Sequence, residues 1–236
     1  MIDLKIEQIL PNGDCGLLIK FKFSEHLLVS IHALAVDLLA KPLLERAGLT
    51  PVNVIPATDS LALVFSVKVQ LSSKLMHEIE RRIQQATVIN HSTQTHEMPV
   101  CYDPAVASDI SAVCALLKLS HEELITYHSD GIYQVDMLGF LPGFSYLSGN
   151  HSALHLPRKD TPKLTVEAGS VAIAGNQTGI YSLSSPGGWH VIGQTPASIL
   201  NWNNTQQPMR FRPLDKVKFK PISLAELNHM STANGY

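Results

Sequence analysis

The 236-residue sequence predicts two domains: a small α+β domain over residues 1–95 and a mainly-β barrel domain over 96–236. Three observations predict this. The first ninety residues alternate strand-like and helix-like hydrophobic periods. A polar stretch, INHSTQTHEMP, then interrupts them. Beyond it, nine of the 14 glycines fall between Gly139 and Gly193, among short apolar runs broken by turns.

LKIEQIL and CGLLIKFKF alternate like paired strands around the turn Pro11-Asn12-Gly13-Asp14. Residues 25–47 carry apolar side chains at helical spacing, and Pro42 should end or kink that helix. VNVIPATDSLALVFSV reads as one or two strands. SSKLMHEIERRIQQA sets Leu75, Ile79 and Ile83 four apart on one helix face, with Arg81 and Arg82 opposite, behind a Ser cap. Elements in this order suggest a sheet covered on one face by two helices. INHSTQTHEMP, closed by Pro99, reads as the linker, with the boundary near residue 95. After it, one helix is expected over about 105–118 and a second from Ser120, where Ser120-His121-Glu122-Glu123 matches a capping box. From Tyr133 onward the pattern becomes short strands. In the tail, Val217 and Phe219 alternate with Lys216, Lys218 and Lys220, as in a half-buried strand with a wet, basic face. Many short strands with few helices point to a closed or nearly closed barrel.

Composition narrows the function classes. Apolar residues make up 45% and charged residues 16%, and a formal charge of −2 gives no electrostatic reason to expect nucleic acid. Cys15, Cys101 and Cys114 are odd in number and lack CxxC spacing, so neither a disulfide framework nor a zinc site is expected. MIDLKIEQILPNGD places acidic residues where a secretory signal needs a basic then apolar run, and no apolar run approaches a membrane span. The expectation is a soluble, cytoplasmic protein with no bound metal.

From Ala168 to Met209 the chain contains no Asp, Glu, Lys or Arg, although its turns are rich in Gly and polar side chains. Any charge must come from elsewhere. Arg158, Lys159 and Lys163, between Pro157 and Pro162 or just beyond, form a basic loop before this strip; Arg158 is suited to bidentate contact with a carboxylate or phosphate, and a solvated surface loop is the alternative. Gly143-Phe144-Ser145-Tyr146-Leu147 departs from G-x-S-x-G at its last position, so a serine nucleophile is not expected. His151 and His155 read as loop residues without further metal ligands. Gly175-Asn176-Gln177-Thr178-Gly179 lacks the Lys-Ser/Thr pair and helix of a phosphate loop; it reads as a turn from which Gln177 and Thr178 could still hydrogen-bond a ligand. In Ser184-Ser185-Pro186-Gly187-Gly188-Trp189 the glycines permit close backbone approach and Trp189 offers a flat apolar wall. Glu123 and Asp136 are isolated carboxylates that spacing does not distinguish as bases.

Gly139-Phe140-Leu141-Pro142-Gly143-Phe144-Ser145-Tyr146-Leu147, with Leu156-Pro157-Arg158 and the run from Ala168 to Pro196, resembles the family of 5-oxoprolinase B subunits, which includes KipI-like kinase inhibitors and the allophanate hydrolase subunit 1 domain of urea carboxylases. The resemblance is strong from about Pro99 to Phe219 and weaker over the first ninety residues. It implies a cyclophilin-like barrel after the α+β domain. It also implies a non-autonomous component of an ATP-dependent lactam hydrolase, converting 5-oxoproline to glutamate through a site shared with a homologous C subunit, alongside a separate A subunit. ATP with Mg would then be used by the assembled complex and not bound by this chain alone. The substrate-binding set implied is Arg158, Gln177 and Thr178, with Pro142, Gly143, Phe144 and Tyr146 from the first motif and Tyr181, Pro186, Gly187 and Trp189 from the last. His128 is the catalytic candidate, its alternative being a structural histidine at a helix end. Other functions implied are inhibition of a sensor histidine kinase, by gripping a helix between Phe140, Phe144, Tyr146 and Trp189, and action on urea or allophanate. Prolyl isomerase activity would rest on fold alone. The chain departs from the family pattern at Ser145, Lys163, Glu167, Asp103-Pro104 and Thr58-Asp59, leaving the substrate as the open question.

Overall fold

The computed structural model describes residues 4–40, 43, 49–87 and 93–233. The chain divides into two compact units, Met1–Ser92 and Thr93–Tyr236. In the first, strands β1 (Ile6–Pro11) and β2 (Gly16–Phe21), helix α1 (Leu27–Ala40), strands β3 (Pro51–Pro56) and β4 (Ser60–Phe65), and helix α2 (Ser73–Gln85) form around one antiparallel sheet of order β1-β2-β4-β3. Period-2 alternation decides which side is buried. Leu17 and Ile19 of β2 stand opposite Leu63 and Leu61 of β4, and all four have no exposed surface. Ile31, Leu34 and Leu38 of α1 and Leu75, Ile79 and Ile83 of α2 complete that core. Each such Leu or Ile contributes about 1.5–3 kcal/mol on burial.

Helix α1 runs Leu27–Ala40, and Pro42, expected to end or kink it, lies outside the described residues. One expectation for this unit is corrected. Arg82 is not on the wet face of α2. It is 5% exposed, and its guanidinium pairs with the Asp37 carboxylate at 2.7 Å and donates to the Asp37 carbonyl. A helix turns about 100° per residue, which carries Arg82 to the border of the Ile79–Ile83 stripe, where Asp37 neutralises it. Arg81 does face out, bonded to Glu78.

The second unit contains β5 (Thr95–Cys101), α3 (Ile110–Leu117), α4 (His121–Ser129), β6 (Tyr133–Leu138), β7 (Ser145–Ser148), β8 (Lys163–Val166), β9 (Ser170–Ala174), β10 (Gln177–Ile180), β11 (Ser185–Gly187), β12 (His190–Gln194), β13 (Lys216–Ile222) and α5 (Leu224–Ala233). Seven strands close into a barrel of order β10-β7-β6-β13-β5-β12-β9, and β8 and β11 form a separate ribbon. β13 runs parallel to β5; the other pairs are antiparallel. Val100, Val135, Leu147, Ile173, Ile192 and Val217 fill the interior with no exposed surface. As the alternation in the tail predicts, Val217 and Phe219 point inward.

Here the linker and one helix need correction. Thr95 to Pro99 belong to β5, a strand with neighbours on both sides. The first helix begins at Ile110, because residues before it turn back on themselves: the Ala107 N–H donates to the Asp103 carbonyl at 2.8 Å. The capping box of α4 is present, with Ser120 Oγ accepting from the Glu123 N–H at 3.1 Å and the Glu123 carboxylate accepting from the Ser120 N–H at 2.7 Å. The turn expected over 175–179 is confined to Gly175 and Asn176, since Gln177 already pairs with Ala174. Gly175 has φ +58°, the conformation that the first residue of such a two-residue hairpin loop requires. Among the described residues, no helix is long and apolar enough to cross a membrane.

Candidate functional site

The uncharged strip builds one side of a groove of about 240 Å³ beside the barrel. Its centre is Phe144, at the entrance to β7. Tyr146 follows on the same strand, Tyr181 leaves β10, and Trp189 enters β12. Their rings meet edge-to-face around Phe144, with centroids 4.8 Å away for Tyr146, 5.0 Å for Tyr181 and 5.8 Å for Trp189. Such pairs add about 0.5–1.5 kcal/mol each beyond burial. Gly179 makes the cluster possible. A Cβ there would lie 2.7 Å from the Phe144 ring and 2.9 Å from the Trp189 indole, so only glycine lets both rings rest on β10.

Arg158 supplies the charge that the strip lacks. Its guanidinium carbon stands 5.8 Å from the Trp189 ring centroid, within cation–π range, and its side chain lines the groove. Among the described residues, no carboxylate lines this groove, and Arg158 takes part in none of the ion pairs found. Its loop is fixed on both sides. His190 Nε2 donates to the Pro157 carbonyl at 3.0 Å, and the Lys159 N–H donates to the Gly188 carbonyl at 2.8 Å. Lys159 Nζ also donates to Asp109 at 2.7 Å, and Lys163 Nζ pairs with the same carboxylate at 3.0 Å. Burial works against ionisation of Asp109, but hydrogen bonds from Lys159, the Val191 N–H and Lys163 hold its carboxyl below the usual carboxylate range. Of the basic loop, therefore, two lysines are committed to Asp109 and Arg158 alone faces the groove. Burial raises the Tyr146 and Tyr181 hydroxyls, partly offset by Arg158 at Tyr146 and by the Trp189 backbone N–H and then Arg158 at Tyr181, so both stay protonated at neutral pH.

The structure brings together Phe144, Tyr146, Arg158, Tyr181, Trp189 and the Pro186-Gly187 ribbon segment. It separates the others from them. Pro142 and Gly143 lie in the β6–β7 turn, where the Pro142 carbonyl accepts from Ser182 Oγ at 2.6 Å. Gln177 bonds the Asp136 carboxylate, which burial raises and the Ser148, Gln177 and Gln134 side chains pull back down. Thr178 points into the barrel. It has no exposed surface, donating to Asn150 Oδ1 at 2.6 Å and sitting 3.1 Å from His128 Nε2. Because Thr178 gives its proton to Asn150, His128 Nε2 is the donor in that contact, and His128 Nδ1 accepts from the Tyr102 hydroxyl at 2.7 Å. His128 is itself fully buried, stacked on Phe219 at 4.5 Å, and burial pushes its pKa down to about 3. The catalytic expectation for His128 thus falls on a neutral ring inside the core, joined to β10 rather than lining the groove. Of the two isolated carboxylates, Glu123 is taken up by the capping box and held low by the Ser120 N–H and hydroxyl.

Phe140, Pro162 and Gly188 also line the groove, beyond the substrate contacts that the resemblance implies. Asp109 is an anchor absent from the residues that the sequence points to, although an Asp immediately before apolar Ile110 is a helix-start signal. Of the four aromatic residues expected to grip a helix, Phe144 and Trp189 are 2% and 6% exposed, so they offer walls to a small groove and not a broad apolar patch. Among the described residues, no cluster of His, Cys, Asp or Glu has the arrangement to hold a metal ion.

Comparison with known proteins gives a consistent set of relatives. Residues 7–211 match the family model described as carboxyltransferase domain, subdomain C and D. A Bacillus subtilis protein named as the B subunit of 5-oxoprolinase is 34% identical over 232 residues, covering 93% of each chain. The crystal structure of TTHA0988 matches with a TM-score of 0.70 at 32% identity over 88% of this chain, and the urea carboxylase of Kluyveromyces lactis with 0.74 at 15% identity over 97%. This chain spans 40% of TTHA0988 and 24% of the urea carboxylase, and the second likeness is one of fold.

Proposed function

The chain belongs to the carboxyltransferase-domain family, subdomain C and D, that includes the 5-oxoprolinase B subunits, and from that premise we propose that it is the component of an ATP-dependent 5-oxoprolinase that holds the substrate. The observation that carries the reading is Arg158, a cation without a carboxylate partner among the described residues, set beside an aromatic-walled cavity of about 240 Å³. 5-Oxoproline offers a carboxylate on a small, flat ring. The guanidinium would take the carboxylate through two parallel hydrogen bonds, and the rings of Phe144, Tyr146 and Trp189 would take the faces of the lactam. Tyr146 and Tyr181, kept protonated, are available to donate to the lactam carbonyl.

The hairpin Gly175–Gly179 is not built as a phosphate loop. Gly175 and Asn176 turn directly between two antiparallel strands, and Thr178 faces inward, so this loop presents neither a helix N-terminus nor the Thr178 hydroxyl to a phosphate. In this reading ATP and its Mg are used by the assembled complex with the homologous C subunit, and the A subunit hydrolyses the activated lactam to glutamate. In net terms, water adds across the C–N bond of 5-oxoproline, giving the γ-carboxylate and the free amine of glutamate.

The test is 5-oxoproline-dependent ATP hydrolysis by this chain, by the C subunit, by the two mixed, and by the mixture with the A subunit added. Turnover is expected only in mixtures. Arg158→Ala should raise KM about 100-fold with the fold intact, the loss of a charge-assisted bidentate contact. Absence of turnover with all three proteins folded and associated would overturn the reading.

A further inference from the structure

Phe140 occupies a position that disfavours phenylalanine. Its φ is +67°, and across it the Leu141 N–H donates to the Gly139 carbonyl at 2.8 Å. Together these mark a γ-turn of the left-handed kind, which is rare and strained. Any Cβ in that conformation crowds the backbone, and glycine is the residue that escapes the penalty. The turn is fixed by its neighbours: the Phe144 N–H donates to the Leu141 carbonyl at 3.0 Å, and the Gly139 N–H to the Phe144 carbonyl at 3.2 Å.

Packing does not explain why a phenylalanine is held there. The residue is 60% exposed, and its ring meets Phe144 and Tyr181 only edge-on, at 5.4 and 6.5 Å. What the strained backbone does achieve is placement, because Phe140 lines the groove that contains Arg158. Strain of this kind persists where the surrounding structure imposes it and the residue serves a site.

We propose that Phe140 is a specificity-determining residue of the groove, its ring held by the strained turn as a preset wall against the apolar face of a small cyclic carboxylate whose charge Arg158 takes. The inference rests on the reading of the groove as the substrate site. A backbone already fixed in the free protein loses no backbone freedom on binding, and the wall it places favours a compact ring over an open chain of the same charge.

The experiment compares Phe140→Ala and Phe140→Gly, with Arg158→Ala alongside, by thermal melting and by calorimetric titration with 5-oxoproline and with glutamate. Both Phe140 variants lose the ring, but only glycine removes the Cβ. The glycine variant is expected to melt about 2–4 °C above the alanine variant, the reverse of their usual order. Both should bind 5-oxoproline about tenfold more weakly and lose most of the preference over glutamate. A glycine variant melting at or below the alanine variant overturns the strained turn. Wild-type affinity and preference in both, with binding lost in Arg158→Ala, overturns the wall and leaves the groove reading standing. Failure of the wild-type chain to bind 5-oxoproline overturns the groove reading and the wall with it.

Discussion

His128 is kept neutral by burial, and that has a cost that depends on pH. Its folded pKa is pushed down to about 3, while an unfolded histidine titrates near about 6.5. Between those values the unfolded chain binds a proton that the folded chain does not. Stability is therefore full above about pH 6.5 and falls as the pH drops towards 3, by about 1.4 kcal/mol per pH unit from this residue. His128→Gln should flatten the slope measured by urea unfolding between about pH 7 and pH 5; an unchanged slope would place the acid sensitivity elsewhere. The sequence makes His128 visible as a candidate and, alternatively, as a structural histidine at a helix end, but it does not reveal the complete burial in the last turn of α4. Its role depends on Tyr102, Thr178 and Phe219, which come from three different strands or strand ends and meet only when the barrel closes. Arg158 is legible because its value lies in its own chemistry, and the same chemistry distinguishes it from the neighbouring lysines once Asp109 is seen to hold them.

Elements with a clean period can be read directly. The stripe Leu75–Ile79–Ile83 and the capping box at Ser120 are local patterns, and both form as the sequence indicates. β5 resists such a reading because THEMPVC hides its alternation. His96 and Glu97 look solvated and Pro99 argues against a strand, yet His96 Nε2 lies 3.0 Å from the Asp215 carboxylate, while Met98 and Val100 fill the core. A partner 119 residues away turns a polar stretch into a central strand. β10 carries a prediction of its own. Its inward face holds Thr178 and its outward face holds Gly179 against two rings, so a methyl group at 179 must displace Phe144 or Trp189. Gly179→Ala should cost about 1–3 kcal/mol in unfolding experiments and alter Trp189 fluorescence. A variant with unchanged stability and spectrum would show that the rings do not rest on this strand.

At the scale of the whole molecule, a closed or nearly closed barrel is legible from turn density and strand length, whereas the strand pairing that closes it is not. Parallel pairing of β13 with β5 leaves no mark in either segment, since β13 reads as an ordinary strand and β5 as a linker, and only the register from Lys216 opposite Thr95 to Ile222 opposite Cys101 reveals it. Because β13 sits between β5 and β6, removing it opens the cylinder on both sides. A chain ending at Pro213 should lose amide protection throughout the second unit in hydrogen exchange, while the β2–β4 core of the first keeps its own. Retained protection in β5 and β6 would argue against a barrel sealed by this strand. The same pairing bears on how the protein is made. Gln94 and Asp215, hydrogen-bonded at the start of these strands, are 121 residues apart. At about 5–20 residues per second, the ribosome delivers the second about 6–24 s after the first. Once β6 has emerged, the nascent barrel carries two unsatisfied strand edges, those of β5 and β6, until the final strand arrives.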